Sequence, residues 1–324
     1  MPDAIKTIAI ISRAEFLLPN LGSLILGLAW GANPPLSLID AIVLLALSFS
    51  IINLSSTIGA QVNTIADYQF DLKDPRKKEL VQALDSFGHN KTKKIIIIEL
   101  ILTLALVSSL TVLQENLILL LLWIIGISLG IMYSASPVRL KSRSWISPIA
   151  QIFVLALFPV LFAYFAFTFE TNTFFLLSLV GLTFSVYAVI IPTEIRDYFV
   201  DKAMKIETFT VSLGLSKASL LGIVLLSLGS LLFGTALILE WFSNGMQILS
   251  MFLIAMPLVV LFVLGKLVKL YSLSKDYETS TDNSISSLEK RIVNLSSDNP
   301  KWIMLVTQTY SILSIILLIS KFIF

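Results

Sequence analysis

The chain has 324 residues, of which 56% are apolar and 14% charged, and its formal net charge at pH 7 is +2. Soluble globular proteins carry about 25% charged residues, so this composition excludes an ordinary water-soluble domain. The chain has no cysteine and one histidine, His89, which excludes disulfides, thiolate metal sites and histidine-rich zinc or haem sites.

The apolar residues form runs long enough to cross a bilayer as helices, which takes about 20 residues. The runs do not alternate apolar and polar residues, as the strands of a membrane barrel would. The sequence therefore predicts an all-α, polytopic membrane protein, a single transmembrane domain over residues 1–324. Its nine spanning helices are predicted at about Phe16–Trp30, Leu38–Val62, Lys94–Leu113, Leu117–Tyr133, Ile146–Phe167, Phe174–Thr193, Ala218–Leu239, Ile248–Tyr271 and Trp302–Ile319.

The basic residues lie almost entirely on one side of these helices. All but one of the 23 Lys and Arg residues fall in the N-terminal segment, in the second, fourth, sixth and eighth connections, or in the helix ends that adjoin these connections; only Lys321 falls opposite. The positive-inside rule then predicts a multi-pass protein of the cell membrane with a cytoplasmic N-terminus. The cytoplasmic connections, about 68–93, 134–145, 194–217 and 272–301, are predicted to cap a site on that side.

The second helix ends in a polar stripe. Asn63, Asp67 and Asp71 follow one another at intervals of four, which places them on one helical face. In the connection that follows, the apolar residues of Leu80–Phe87 share one helical face. This pattern predicts a short interfacial helix.

The fourth helix leads into a segment that begins at Tyr133 and contains Arg139 and Lys141. Arginine and lysine can donate hydrogen bonds to diphosphate oxygens, and a tyrosine hydroxyl can add another. Arg76, after the second helix, can do the same. Each of these cations alone is equally explained by membrane topology.

The sixth helix ends in a second acidic stripe. Glu194, Asp197 and Asp201 are spaced by three and four and again share a face. Clustered carboxylates repel one another unless a cation joins them, and Mg²⁺ commonly bridges carboxylates to phosphate oxygens. Two such stripes on one membrane side predict a polyanion bound through Mg²⁺, with Mn²⁺ as the other possible ion.

The eighth connection, Ser272–Pro300, contains apolar residues at helical spacing and has two open interpretations. One is an amphipathic helix lying in the membrane interface, and the other is a solvated linker.

Taken together, these segments resemble the UbiA superfamily of intramembrane prenyltransferases. Asn63, Asp67 and Asp71 match its first motif, N-D-x-x-D-x-x-x-D, and Asp197 and Asp201 match its second, D-x-x-x-D. The stretches 133–141 and 205–214 are similar to the family segments Y-S-x-x-P-x-R-L-K and K-x-T-L-x-V-x-L-G. Thr64 departs from the pattern, because the family usually has its first aspartate there.

The resemblance implies nine helices around a central cavity and transfer of an isoprenyl group from a prenyl diphosphate to a lipophilic acceptor. The implied catalytic residues are Asp67, Asp71, Asp197, Asp201 and Tyr133. The implied metal ligands are Asn63, Asp67, Asp71, Glu194, Asp197 and Asp201. The implied diphosphate contacts are Asn63, Arg76, Arg139, Lys141, Tyr198 and Lys205.

The acceptor stays open. The stretch Glu194-Ile-Arg-Asp-Tyr looks most like enzymes that prenylate naphthoate or another aromatic quinone precursor, whereas Asp74-Pro-Arg-Lys is similar to carotenoid and archaeal glycerol-lipid relatives. A transporter is the rival of another class, although its ionisable groups would be expected near the midplane. The expected partners are a prenyl diphosphate, a hydrophobic small-molecule acceptor and membrane lipids, with no nucleic acid and no obligate protein partner.

Overall fold

The computed structural model describes residues 4–32, 37–280 and 285–323, and every regular element in these ranges is helical. The prediction of an all-α membrane protein is confirmed. Short 3₁₀ turns and one π segment, Phe153–Leu157, separate some of the α-helices. The described part of the chain has fourteen α-helices. In chain order these are α1 (Ala4–Ile11), α2 (Leu17–Gly31), α3 (Leu38–Asp71), α4 (Lys78–Phe87), α5 (His89–Leu113), α6 (Leu117–Ser134), α7 (Ile146–Ile152), α8 (Phe158–Phe165), α9 (Thr173–Ala203), α10 (Phe209–Leu213), α11 (Leu215–Ser243), α12 (Ala255–Thr279), α13 (Ile285–Ser297) and α14 (Asn299–Ile323).

Within the described ranges, eight helical stretches are long and apolar enough to span a membrane. Each corresponds to one of the predicted spans from the second to the ninth. The predicted first span is α2, which has 15 residues. At 1.5 Å per residue α2 is about 22 Å long, less than the hydrocarbon thickness of about 30 Å. The count of full-length spans is therefore eight in this part of the chain rather than nine.

Two helices continue well beyond their apolar runs, and both carry predicted site residues. Helix α3 runs to Asp71 and α9 to Ala203. No Gly or Pro interrupts residues 63–71, so nothing in that stretch breaks the helix. Pro75 then stops the chain from continuing as a helix, since the residue before a proline is pushed to extended backbone, and Asp74 has φ −101° and ψ 109°.

The chain forms two compact units, and the first comprises Met1–Leu140 and Phe158–Phe169. Its core contains Ile51, Ile58, Leu110 and Phe162, and the indole nitrogen of Trp123 donates to Ser55 Oγ at 3.1 Å. Helix α4 packs against α1, α3 and α5. The predicted interfacial helix is therefore present and covers other helices with its buried Leu80 and Leu84.

The second unit comprises Lys141–Leu157 and Glu170–Phe324. Its core includes Ile195 and Tyr198 from α9, Leu270 from α12, and Leu288 and Ile292 from α13. Helix α13 thus exists, and its apolar face packs on α9 and α12 rather than on lipid. Residues 281–284 of the predicted eighth connection lie outside the described ranges, and the single domain predicted over residues 1–324 stays a prediction.

Candidate active site

Asn63 begins the polar stripe of α3, and its side chain is held from the neighbouring α6. The hydroxyl of Ser134, the last residue of α6, donates to Asn63 Oδ1 at 2.8 Å. Ser134 is 2% exposed, so this bond is shielded from bulk water. The bond fixes the amide oxygen of Asn63 near the start of the stripe.

Asp67 lies one turn further along the same face and forms an ion pair. Arg139 Nη2 donates to Asp67 Oδ1 at 3.0 Å. The same guanidinium lies over the ring of Phe70, with its central carbon 4.3 Å from the ring centroid. Arg139 has φ +40°, a left-handed backbone conformation that is uncommon outside glycine. The structure therefore brings together two predicted site residues, one acid and one base.

Tyr68 and Asp71 complete the end of α3. The Tyr68 hydroxyl donates to Asp85 Oδ1 of α4 at 2.7 Å, and its ring meets the edge of His89 at 4.6 Å between centroids. Asp71 is the last residue of the helix and is partly buried. Tyr68, which lies between the two aspartates in sequence, thus ties this helix end to α4 and to the start of α5.

Arg76 lies beyond α3 and is engaged by a neighbouring acid. Its Nε and Nη2 donate to the two carboxylate oxygens of Asp74 at 2.9 and 2.8 Å. Burial raises the pKa of the Asp74 carboxyl, but the hydrogen bonds from Arg76 outweigh it and leave that pKa below its ordinary value. Since Asp74 also caps the turn Pro75–Lys77, this pair shapes the loop.

Glu194 opens the second acidic stripe, in the other unit. Gln151 Nε2 of α7 donates to one carboxylate oxygen at 2.8 Å, and Thr210 Oγ1 of α10 donates to the other at 2.8 Å. Gln151 also lies 3.4 Å from Ser147 Oγ. Both oxygens of this predicted metal ligand therefore accept hydrogen bonds from neutral side chains.

Asp197 and Asp201 follow Glu194 on α9. Arg196 Nε lies 3.1 Å from Asp197 Oδ1. Asp201 is partly buried and experiences the negative charges of Asp197 and Glu194, with Lys141 as the opposing positive charge. The second unit thus carries three carboxylates along one face of α9 and one of the predicted diphosphate-binding cations.

Tyr198 lies one turn after Glu194 on α9. It is 6% exposed and belongs to the core cluster of the second unit. Lys202 Nζ donates to its hydroxyl at 3.3 Å. The ring and hydroxyl of Tyr198 are therefore both engaged by neighbours in the same unit.

The two remaining predicted residues lie at the ends of helices. Tyr133 is the next-to-last residue of α6 and is partly buried. Lys205 follows α9 by two residues and has φ +56°. That left-handed residue turns the chain out of α9 toward α10.

The donors at both helix ends are carboxylate and amide oxygens, which suit Mg²⁺ and do not suit soft metals. Among the residues that the structure describes, no three His, Cys, Asp or Glu side chains are already gathered for a metal. Mg²⁺ does not require such a cage, because it usually keeps several waters and uses one or two carboxylates together with substrate phosphates. The like charges around Asp201 would be relieved by a divalent cation, so the residues present fit this ion.

Three neutral residues that hold predicted site residues were not predicted from the sequence. Ser134 holds Asn63, and Gln151 and Thr210 hold Glu194. Gln151 carried a detectable signal, since it is a polar residue inside an apolar span. Thr210 lies in the stretch 205–214 that resembles a family segment, but nothing in the spacing indicates that its hydroxyl contacts Glu194.

Comparison with known proteins gives one family. The model of the UbiA prenyltransferase family matches residues 20–281. No curated protein sequence matches this chain significantly.

Solved structures share the fold over nearly the whole chain. A structure of digeranylgeranylglyceryl phosphate synthase is 16% identical and covers 96% of this chain and 99% of its own, with a TM-score of 0.65. A UbiA homologue from Archaeoglobus fulgidus bound to DMAPP and Mg²⁺ is 17% identical and covers 93% and 99%, with a TM-score of 0.59. The same homologue bound to GPP and Mg²⁺ is 16% identical, with the same coverage and TM-score. At these identities the likeness establishes the fold.

Proposed function

The chain belongs to the UbiA prenyltransferase family, and from this premise we propose that it transfers an isoprenyl group from a prenyl diphosphate to a lipophilic acceptor. The C1–O bond of the prenyl diphosphate breaks, and its electron pair leaves with diphosphate. A nucleophilic atom of the acceptor forms the new bond to C1, and the acceptor loses one proton.

The proposed metal ligands are Asp67 and Asp71 in the first unit and Asp197 and Asp201 in the second, with Asn63 in support. When bound, Mg²⁺ supplies positive charge that stabilises the negative charge growing on the leaving diphosphate. The proposal is supported by the oxygen-only donor set and by the A. fulgidus homologue, whose structures are described as bound to DMAPP or GPP and Mg²⁺.

Cationic side chains are proposed to bind the diphosphate directly. Arg139 is the strongest candidate, because its contacts with Asp67 and Phe70 hold the guanidinium in one place before substrate arrives. Lys141 and Lys205 are proposed to add positive charge. Tyr133 is proposed to donate a hydrogen bond or to present its ring to the prenyl cation. The contacts of Tyr198 and Arg76 favour structural roles for those two residues.

For the acceptor we propose an aromatic quinone precursor such as a naphthoate. The support is the stretch Glu194-Ile-Arg-Asp-Tyr, which looks most like enzymes of that kind. A glycerol-lipid acceptor is the second candidate, because one structural neighbour is a digeranylgeranylglyceryl phosphate synthase. We further propose that the two acidic helix ends face the cytoplasm, as the basic residues indicate.

The observation that carries the proposal is the end of α3, where Asn63 and Asp67 are held in register by Ser134 and Arg139. The test is incubation of the purified protein with labelled prenyl diphosphates of several lengths and a panel of aromatic, glycerol-lipid and carotenoid acceptors, with products identified by mass. We expect Mg²⁺-dependent release of diphosphate and one prenylated product class. The proposal would be refuted if the prenyl diphosphate stayed uncleaved with every acceptor while the protein was folded.

A further inference from the structure

Both carboxylate oxygens of Glu194 accept hydrogen bonds from neutral side chains of other segments, whereas those of Asp197 accept from its sequence neighbour Arg196. Gln151 and Thr210 each donate to one oxygen at 2.8 Å. These two donors come from different segments, α7 and α10, that lie 43 and 16 residues from Glu194 in sequence. One carboxylate therefore joins three segments of the second unit.

The chemistry of the two donors indicates what this arrangement does. Hydrogen bonds to both oxygens of a buried side chain are costly to break. Neither donor carries a charge, so the pair orients Glu194 by hydrogen bonding and without an ion pair. A carboxylate oriented in this way restrains the backbone from which it projects.

The restrained stretch of backbone is the one that bears the acids. Asp197 lies one turn after Glu194 and Asp201 lies two turns after it, on the same helical face. The bonds to α7 and α10 fix the rotation and the height of α9 at Glu194, and through the helix they fix the direction in which Asp197 and Asp201 project.

We propose that Glu194 is a positioning residue that aims Asp197 and Asp201, and that it does not itself ligate the metal. This inference rests on the proposed function, in which those two aspartates bind Mg²⁺. Loosening the hold on Glu194 from either donor is then expected to weaken metal binding, although neither donor touches the metal.

The test compares variants of Glu194 and Thr210 by equilibrium Mn²⁺ binding, read by electron paramagnetic resonance on the full-length protein in detergent. Glu194→Gln and Thr210→Val are each expected to raise the Mn²⁺ dissociation constant about five- to tenfold. The double variant is expected to bind about as weakly as either single one, because both changes weaken the same hydrogen-bonded junction around residue 194. Thr210→Ser, which restores the hydroxyl, is expected to bind like the unmodified chain.

The matched control is Thr183→Val. Thr183 is a buried threonine of the same helix whose hydroxyl donates to Leu179 O of its own backbone. This change is expected to leave Mn²⁺ binding unaltered. Loss of binding in Glu194→Gln with normal binding in Thr210→Val would make Glu194 a ligand and would overturn the positioning role.

Hydrogen–deuterium exchange supplies a second readout that needs neither metal nor activity. Amides of α10 and of residues 194–201 are expected to exchange faster in Glu194→Gln and Thr210→Val than in Thr183→Val. Unchanged exchange would also overturn the inference. If the unmodified chain binds no Mn²⁺, the proposed metal site is wrong, whereas the exchange experiment still decides whether Glu194 holds α7 and α10 together.

Discussion

Arg139 is held by two contacts that use different properties of its guanidinium. One nitrogen pairs with Asp67 at 3.0 Å, and the planar group stacks on Phe70. Lysine keeps the charge but cannot make both contacts. Arg139→Lys is therefore expected to raise KM for the prenyl diphosphate about tenfold with the protein still folded, as measured by steady-state diphosphate release.

Arg143→Lys is the matched control for that prediction, since Arg143 is an exposed arginine of the same connection. Its KM is expected to stay at the value of the unmodified chain. Equal effects of the two changes would show that Arg139 contributes only general positive charge.

Thr64 occupies the position at which the family usually has an aspartate, and its surroundings are those of a packed residue. It is 2% exposed, and its hydroxyl donates to Ala60 O at 2.9 Å and lies 3.5 Å from Ile11 O. A carboxylate placed there would face backbone oxygens and lose its hydration. Thr64→Asp is therefore expected to lower the melting temperature and to leave the apparent Mg²⁺ affinity unimproved, both measured in detergent.

Thr64→Ser keeps the hydroxyl and serves as the control, with a melting temperature expected near that of the unmodified chain. A gain in Mg²⁺ affinity in Thr64→Asp at unchanged stability would show that this position can face the metal.

At the scale of single residues, sequence spacing predicts which side chains share a helical face and does not predict their partners. The intervals from Asn63 to Asp71 depend only on helix geometry, which is the same in every helix. The bonds to Ser134, Gln151 and Thr210 depend on how distant segments pack, and spacing carries no information on that packing.

At the scale of helices, the close crossing of α9 and α11 depends on two glycines. A Cβ on Gly229 would lie 2.6 Å from Gly181 O, and a Cβ on Gly181 would lie 2.5 Å from Phe233 N. These atoms are backbone and cannot move aside without separating the helices. Gly229→Ala is therefore expected to destabilise the protein by about 2 kcal/mol, measured by denaturation in detergent.

Gly265→Ala in α12 is the control, because in the described part of the chain no atom beyond its own turns of helix backbone lies within 4 Å of its added Cβ. Alanine in an open helical position is expected to be neutral or stabilising by up to about 1 kcal/mol. A Gly229→Ala protein as stable as the Gly265→Ala protein would contradict the close crossing.

The existence of helices could be predicted from sequence more fully than their ends. Apolar runs indicate which residues lie in the lipid bilayer. A helix can continue beyond the bilayer into water until a residue such as proline ends it. Helices α3 and α9 extend past their apolar runs for this reason. Helix α13 shows the other limit, since an amphipathic pattern predicts a buried face without saying whether lipid or protein covers it.

At the scale of the whole molecule, the basic residues predict which ends of the helices face the cytoplasm. The chain has no cysteine, so single cysteines can be introduced without background. Arg143→Cys is expected to react with a membrane-impermeant maleimide only in inside-out vesicles, and Thr171→Cys only in intact cells, because both residues are exposed and lie in connections of opposite sides. The reverse pattern would invert the topology.

Lys321, the one basic residue predicted to lie on the opposite side, has a local explanation that sequence could not supply. Its ammonium lies 3.9 Å from Glu240 Oε1, and Asn172 donates to Glu240 Oε2 at 3.2 Å. Because Glu240 lies far from Lys321 in sequence, the charge pattern identifies Lys321 as an exception but does not identify its partner. The fold shows that the partner is Glu240. A paired charge is less costly to bury than an isolated one.

The acidic ends of α3 and α9 are proposed to carry Mg²⁺-dependent prenyl transfer. The most direct measurement is diphosphate release by Asp67→Asn and Asp197→Asn, with Asp276→Asn, an exposed aspartate of α12, as control. We expect a loss of at least about a hundredfold in kcat/KM for the first two and full activity for the third, with all three proteins folded. Undiminished release by Asp67→Asn and Asp197→Asn would show that these helix ends do not carry the reaction.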